Sequence, residues 1–256
     1  MLFKPENSLI NQSLRARKSV ATTNGDGFGV GWYGRKAEPG LYRDLRPAWN
    51  DENLRSLSEQ IESSLFFAHV RASTGTATSR ANCHPFRQGR WLFMHNGQIG
   101  GFDRIARELD FQIAPTLYRQ RQGTTDSETI FFLLLTNGLD DDPETAVGRT
   151  VARIEVAMAA ADSKEPLRLT AAFTDGRHVY AIRYSSDHAS PTLFYGCAGG
   201  VRGHDGRCTD EASGESILIL SEPLDTAQER WTAVEEGHLL IAEGNEVRLR
   251  RFAPAM

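Results

Sequence analysis

The sequence predicts an α+β fold in which antiparallel sheets are covered by helices, and three observations predict it. Apolar, strand-like runs come first, LFFAHVR at 65–71 and WLFMHN at 91–96. Helical patterns fill the middle of the chain, to about residue 161. The last third returns to strands, with LRLTAAFT at 167–174 and HVYAIRY at 178–184 flanking the hairpin signal Asp175-Gly176-Arg177. Strands joined by hairpins, with helices grouped between them, favour this class over a doubly wound parallel sheet. No linker, internal repeat or heptad interrupts the 256 residues, which read as a single domain over 1–256.

The elements follow in order. The start, MLFKPENSLINQS, lacks the basic end, apolar core and cleavage site of a secretory signal. Residues 24–34, NGDGFGVGWYG, contain G-x-G-x-x-G between Gly29 and Gly34. A dinucleotide cradle must open a helix, whereas this stretch runs into Arg35-Lys36-Ala37-Glu38-Pro39-Gly40, a turn. The glycines therefore suit a backbone that must stay thin for another reason. Residues 51–63 carry Leu54, Leu57 and Ile61 at helical spacing after an Asp start. A short helix is expected over 102–109, and an apolar one opens at Asp126-Ser127-Glu128 and continues through IFFLLL. A long amphipathic helix runs from about Pro143 to Ala161. SILILS at 216–221, HLLIA at 238–242 and EVRLRRF at 246–252 read as further strands, the last following a Gly244-Asn245 turn.

Composition excludes several classes. A net charge of -4 with interspersed signs argues against a dedicated nucleic-acid binder. No apolar run is long enough to cross a bilayer, so no membrane partner is expected. Three cysteines, Cys83, Cys197 and Cys208, cannot form a full disulfide set, and a cytoplasmic protein with reduced thiols is the simplest reading. Cys197, His204 and Cys208 lack a C-x-x-C pair, so a glycine-rich loop is preferred there to a zinc site. That loop, Gly196 to Gly214, is expected to be mobile and to influence substrate choice.

Four places carry groups suited to chemistry. Arg71 leaves an apolar strand and is followed by Ser73 and Thr74, an arrangement that suits a planar carboxylate. Asn96-Gly97 ends the next apolar strand, where a side-chain amide and a glycine N–H can point at one spot, as an oxyanion hole requires. Cys83 lies beside His84, although adjacent residues rarely face each other and a buried thiol is the default. Asp126 opens a helix, where a carboxylate can cap the first turn or hold an ammonium group. Taken singly, each has a plainer structural explanation.

Taken in order, NGDGFGVGW, HVRASTG, NCHPF, HNGQI, the TTDSE helix start and Ser221-Glu222-Pro223-Leu224 followed by Trp231 form a series. The series resembles the glutaminase domain of the class II glutamine amidotransferases, and in particular the small stand-alone type that includes the γ-glutamyl amidase of ergothioneine synthesis. The resemblance covers nearly the whole chain. It implies the four-layer αββα sandwich of the N-terminal-nucleophile hydrolases, with the leading strand absent from this sequence. It implies that Arg71, assisted by Thr74, binds the α-carboxylate of glutamine and that Asp126 takes the α-ammonium. Asn96 and Gly97 would form the oxyanion hole. Asn24, Gly25 and Asp26 would wall the pocket near the N-terminal nucleophile, and His69, His84 and His95 would be structural.

In the family the nucleophile is a cysteine exposed as residue one, which attacks the side-chain amide and passes through a γ-glutamyl thioester. The sequence begins Met1-Leu2-Phe3 and has no cysteine before Cys83. The expectation is that the cysteine lies upstream of Met1 and that this chain alone is inactive; the alternative is a glutamine- or γ-glutamyl-binding homologue without turnover. The substrate would be glutamine or a γ-glutamyl compound, either hydrolysed outright or used to pass ammonia to a separate enzyme. No cofactor or metal is implied.

Overall fold

Local capping chemistry sets the helix starts. The Asp51 carboxylate accepts the N–H of Leu54 at 2.6 Å, Thr125 Oγ1 accepts that of Glu128 at 3.2 Å, and Asp142 accepts that of Thr145 at 3.1 Å. Each satisfies an amide that a first helical turn leaves unpaired. The computed structural model describes residues 2–18, 23–73, 77–197, 201–202, 208–209 and 216–255. Its elements begin with α1 (Leu9–Leu14), β1 (Phe28–Trp32), β2 (Gly40–Asp44), α2 (Glu52–Gln60) and β3 (Phe66–Val70). There follow β4 (Phe86–Gln88), β5 (Trp91–Gln98), α3 (Phe102–Phe111), α4 (Pro115–Tyr118), α5 (Asp126–Thr136) and α6 (Pro143–Ala160). The chain then enters β6 (Arg168–Thr174), β7 (His178–Ser185), β8 (Phe194–Cys197), β9 (Val201–Arg202), β10 (Cys208–Thr209) and β11 (Ile217–Leu220). It ends in β12 (Trp231–Ala233), β13 (His238–Glu243) and β14 (Glu246–Arg251).

The principal sheet has six strands in the order β14-β13-β7-β6-β5-β4, and a second has three in the order β2-β1-β3. A further three-stranded sheet, β11-β8-β12, and the β10-β9 pair complete the pairing, and every pairing among the described strands is antiparallel. Because side chains alternate along a strand, each face of the six-stranded sheet has its own core. Trp91, Phe93, Leu169, Phe173 and Ile241 pack against Ile105 and Leu109 of α3, Phe131 of α5 and Ile154 of α6. Leu92, Ala172, Ala181 and Leu240 face the other way, towards Phe67 of β3 and Tyr195 of β8. The outer face of the three-stranded sheet carries Phe28 and Val30, covered by Leu54 of α2 and Ile10 of α1. The result is helix, sheet, sheet, helix: the expected αββα sandwich.

The glycines of 24–34 find their reason here. Gly29 and Gly31 lie on the inner face of β1, opposite the outward Phe28 and Val30. A Cβ on Gly29 would stand 2.2 Å from the carbonyl oxygen of His84, and one on Gly31 would stand 2.8 Å from Leu92. The strand is thin because the segment 83–85 and the neighbouring sheet lie directly against it. The short strands β2, β8 and β12, between three and five residues long, were not anticipated, since their runs are too brief to show a period.

Candidate active site

Alternation along β5 sends His95 towards α5 and Asn96 towards the space between the sheets. Asn96 and Gly97 are exposed at the end of a strand whose first three residues are buried. Gly97 has a φ of 151°, and a Cβ there would lie 1.9 Å from the carbonyl oxygen of Arg168, so only glycine fits. Two residues on, the N–H of Ile99 donates to Asp126 Oδ2 at 2.9 Å. Asp126 Oδ1 accepts the N–H of Ser127 at 2.7 Å. The half-buried Asp126 carboxylate is thereby tied to the strand end that presents Asn96 and Gly97.

Arg71, on the neighbouring sheet, is buried at the end of β3. Its N–H donates to the carbonyl of Gly27 and its carbonyl accepts the N–H of Asp26, both at 2.9 Å. Its guanidinium reaches the carbonyl of Asp26 at 3.4 Å and Ser73 Oγ at 3.3 Å, while the Asp26 carboxylate accepts the Ser73 N–H at 2.7 Å. Residues 24–27 thus grip the Arg71 strand end. Asn24 is fixed in turn to α1, its N–H donating to Ser13 at 2.8 Å and its side chain to Gln12 at 3.4 Å, and Gly25 leaves room for the Trp49 ring. β3 and β5 are in contact, with the His69 imidazole facing the backbone of His95, so Arg71 and Asn96-Gly97 lie beyond the same crossing point. Thr74 lies outside the described residues.

His84 and His95 are buried and His69 is half-buried. Burial, with some repulsion from His95 and Arg71, pushes the His69 imidazole down to about 4, and burial together with His69 pushes His84 well below its usual range. Their rings stand 4.4 Å apart, and neither nitrogen of His84 has a partner among the described residues. Cys83 is completely buried, and burial pushes its thiol up against the opposing pull of Arg71 and Arg43. A high thiol beside a low imidazole does not make a nucleophile and base, so the buried-thiol reading holds. Cys197 is disulfide-bonded, which corrects the expectation of uniformly reduced thiols and removes it as a zinc ligand. His204 and most of the loop from Gly196 to Gly214 lie outside the described residues, among which no cluster of three or more His, Cys, Asp or Glu could hold a metal.

Three contributors were not singled out from the sequence. The Asn82 side chain accepts the Thr124 N–H at 2.9 Å and donates to Ala77 at 2.8 Å, joining the residues after Arg71 to the helix start at Asp126. Glu128 accepts the N–H groups of Gln122 and Gly123 at 2.9 and 2.8 Å, which shapes the turn into α5. Glu222 is buried and accepts the N–H groups of Arg17 and Lys18, the latter at 2.6 Å. Asn82 sat inside the quoted NCHPF and Glu222 inside Ser221-Glu222-Pro223-Leu224, so the motifs were visible although their contacts were not.

Comparison with known proteins gives this geometry a context. The family model described as glutamine amidotransferases class-II matches residues 5–193. "Probable glutamine amidotransferase DUG3" of Saccharomyces cerevisiae is 35% identical over 281 residues, spanning 97% of this chain and 79% of that protein. The gamma-glutamyl-hercynylcysteine sulfoxide hydrolase of Mycobacterium tuberculosis is 27% identical over 241 residues, spanning 94% of this chain and 84% of its own. Among solved structures, a glutamine aminotransferase class-II domain protein from Silicibacter pomeroyi matches with a TM-score of 0.75 and 41% identity, over 89% of this chain and 92% of that one. The glutamine phosphoribosylpyrophosphate amidotransferase of B. subtilis shares the fold at a TM-score of 0.61 and 14% identity, over 91% of this chain and 44% of that one.

Proposed function

Since this chain belongs to the class II glutamine amidotransferases, we propose that its pocket binds glutamine or a γ-glutamyl compound and supports cleavage of the side-chain amide. The observation that carries this reading is the bond from Ile99 to Asp126, which sets an anion beside the exposed Asn96-Gly97 pair. Arg71, with Thr74, grips the α-carboxylate through parallel N–H bonds, and Asp126 takes the α-ammonium. A free amino acid presents one charge of each sign, and the pocket offers the complement of each.

Held by those ends, the side-chain amide reaches Asn96 and Gly97. Attack by a thiolate on the amide carbon puts negative charge on the carbonyl oxygen, which the Asn96 side chain and the Gly97 N–H stabilise. Ammonia leaves with a proton, a γ-glutamyl thioester remains, and water releases the acid and the thiol. Cys83 and Cys197 are unsuited to that attack, the first buried with a raised thiol and the second disulfide-bonded. As the resemblance to the family implies, the reading takes the nucleophile to be an N-terminal cysteine of the kind the family uses, placed ahead of Met1. Asp26 and its neighbours steady the pocket wall at that side.

The test is ammonia release from glutamine by the 256-residue chain and by a form extended with a Met-Cys segment. The extended form is expected to release ammonia and to lose that activity with Arg71→Ala; the chain alone is expected to bind without turnover. Ammonia release by the chain alone, abolished by Arg71→Ala, would overturn the placement of the nucleophile. The binder without turnover is supported if the extended form binds glutamine but stays inactive.

A further inference from the structure

Ser127 has one hydroxyl proton and two acceptors in reach. Its Oγ stands 3.0 Å from His95 Nδ1 and 3.2 Å from Asp126 Oδ1. The other ring nitrogen of His95, Nε2, lies 3.1 Å from the carbonyl oxygen of Arg168. A carbonyl can only accept, so Nε2 must carry a hydrogen in any favourable arrangement. Neutral His95 then has a lone pair on Nδ1, and the Ser127 hydroxyl donates to it. The Asp126 carboxylate keeps the N–H groups of Ser127 and Ile99 but is spared the hydroxyl.

A proton added to His95 can sit only on Nδ1. It then donates to Ser127 Oγ, the hydroxyl turns, and its hydrogen points at Asp126 Oδ1. We propose that His95 and Ser127 are positioning residues which, through the direction of this one hydroxyl, decide whether Asp126 is open to the ammonium group of a substrate. The proposal deepens the reading of Asp126 given above and rests on it. With the hydroxyl turned to Asp126, Oδ1 receives a second hydrogen bond beside that of the Ser127 N–H, and a ligand ammonium must compete with it. The atoms balance with a single proton taken from solvent and held on Nδ1.

The surroundings favour the open state near neutral pH. Burial disfavours the charged imidazole, and Asp126 on α5 opposes that by favouring it. On the facing elements, His69 of β3 and His84 before β4 are themselves held below the usual imidazole range, with His95 and Arg71 among the causes, so they stay neutral beside His95. Arg168 on β6 offers only its carbonyl, its guanidinium being paired with Asp187 at 2.7 Å on the surface.

The experiment joins two readouts on the intact chain. Nitrogen-15 NMR of the imidazoles reports the tautomer of neutral His95 and its titration, with no ligand present. Calorimetry reports the Kd for glutamine from about pH 7 downwards through the pH at which the NMR titration shows His95 taking up its proton, which burial places below the ordinary histidine range. The expected results are the Nε2–H tautomer and a Kd that rises about three- to tenfold as His95 gains its proton, the worth of one competing hydrogen bond. Ser127→Ala is expected to lose most of that rise, and Ser127→Thr, which restores a hydroxyl, to recover it. A neutral Nδ1–H tautomer, or a Ser127→Ala variant with the full wild-type dependence, overturns the proposal. If glutamine fails to bind the wild type even near neutral pH, the reading of the pocket falls, and the tautomer still judges the hydroxyl switch separately.

Discussion

The carboxylate of Asp126 accepts the backbone N–H of Ile99 at 2.9 Å, which fastens the first residue of α5 to the end of β5. Oδ2 takes this bond and Oδ1 the Ser127 N–H, and the proposed ammonium contact would use the remaining lone pairs of the carboxylate. Asp126→Asn is expected to retain much of the first role, since its amide oxygen can still accept. It loses the negative charge needed for the second. Stability should fall by about 1 to 2 kcal/mol, the difference between a charged and a neutral acceptor, while glutamine affinity drops by at least about tenfold. Urea denaturation and calorimetry separate the two; an unchanged affinity would remove Asp126 from the binding set.

Gly97→Ala tests the backbone of the same corner. The added methyl meets the Arg168 carbonyl at 1.9 Å, and the φ of 151° is unfavourable for any L side chain. Strain and overpacking together should cost at least about 2 kcal/mol and disturb the Asn96 strand end. A lowered Tm accompanied by loss of glutamine binding is expected. A variant with wild-type Tm would mean that the strand end shifts freely, contrary to its place in the β5–β6 ladder.

Much of this corner was legible from the sequence because its signals are local. Asp51 announces a helix start within three residues, and Asn96-Gly97 and Asp126 each mark the end of an apolar run or the start of one. What brings them together was not legible. The contact of His69 with the His95 backbone, the Asn82 bridge to Thr124 and the Glu222 grip on residue 17 depend on which sheet faces which. The last joins residues 205 apart in the chain, a separation at which no periodicity speaks. The glycines of β1 stood between these cases: their thinness was evident, and the segment pressing on them was not.

Glu222→Ala probes that long-range grip. Both carboxylate oxygens hold N–H groups of Arg17 and Lys18 in a buried setting, so truncation leaves donors without acceptors. The expected loss is about 3 kcal/mol, with faster hydrogen exchange at residues 17 and 18 than elsewhere in the N-terminal segment. Equal protection in variant and wild type would show that other contacts hold the segment.

Cys83 should be inert while the protein is folded. Its sulfur is buried and bonds the carbonyls of Asp44 and Ser79, each at 3.6 Å, and burial raises its thiol. Iodoacetamide is expected to label it only in denaturant, as read by mass spectrometry. Cys83→Ala should retain glutamine binding. Rapid labelling of the native chain would reopen Cys83 as a nucleophile.

The buried histidines make stability fall on mild acidification, and His69 fixes the window. Its ordinary value of 6.5 applies to the unfolded chain, whereas burial holds it at about 4 in the fold. Between those values the unfolded chain binds a proton that the folded chain refuses, so acid favours unfolding. The contribution is complete above pH 6.5, is lost as pH falls towards about 4, and changes no further below that. A shift of this size corresponds to roughly 3 kcal/mol, and His84 is displaced in the same direction. Carboxylates also titrate at the acid end, so the wild-type curve alone does not isolate the imidazole. His69→Gln keeps a polar side chain of comparable length and removes the titration. Its unfolding free energy should therefore depend less steeply on pH than that of the wild type from pH 6.5 downwards. Parallel curves for the two proteins would show that His69 takes up its proton without leaving the fold.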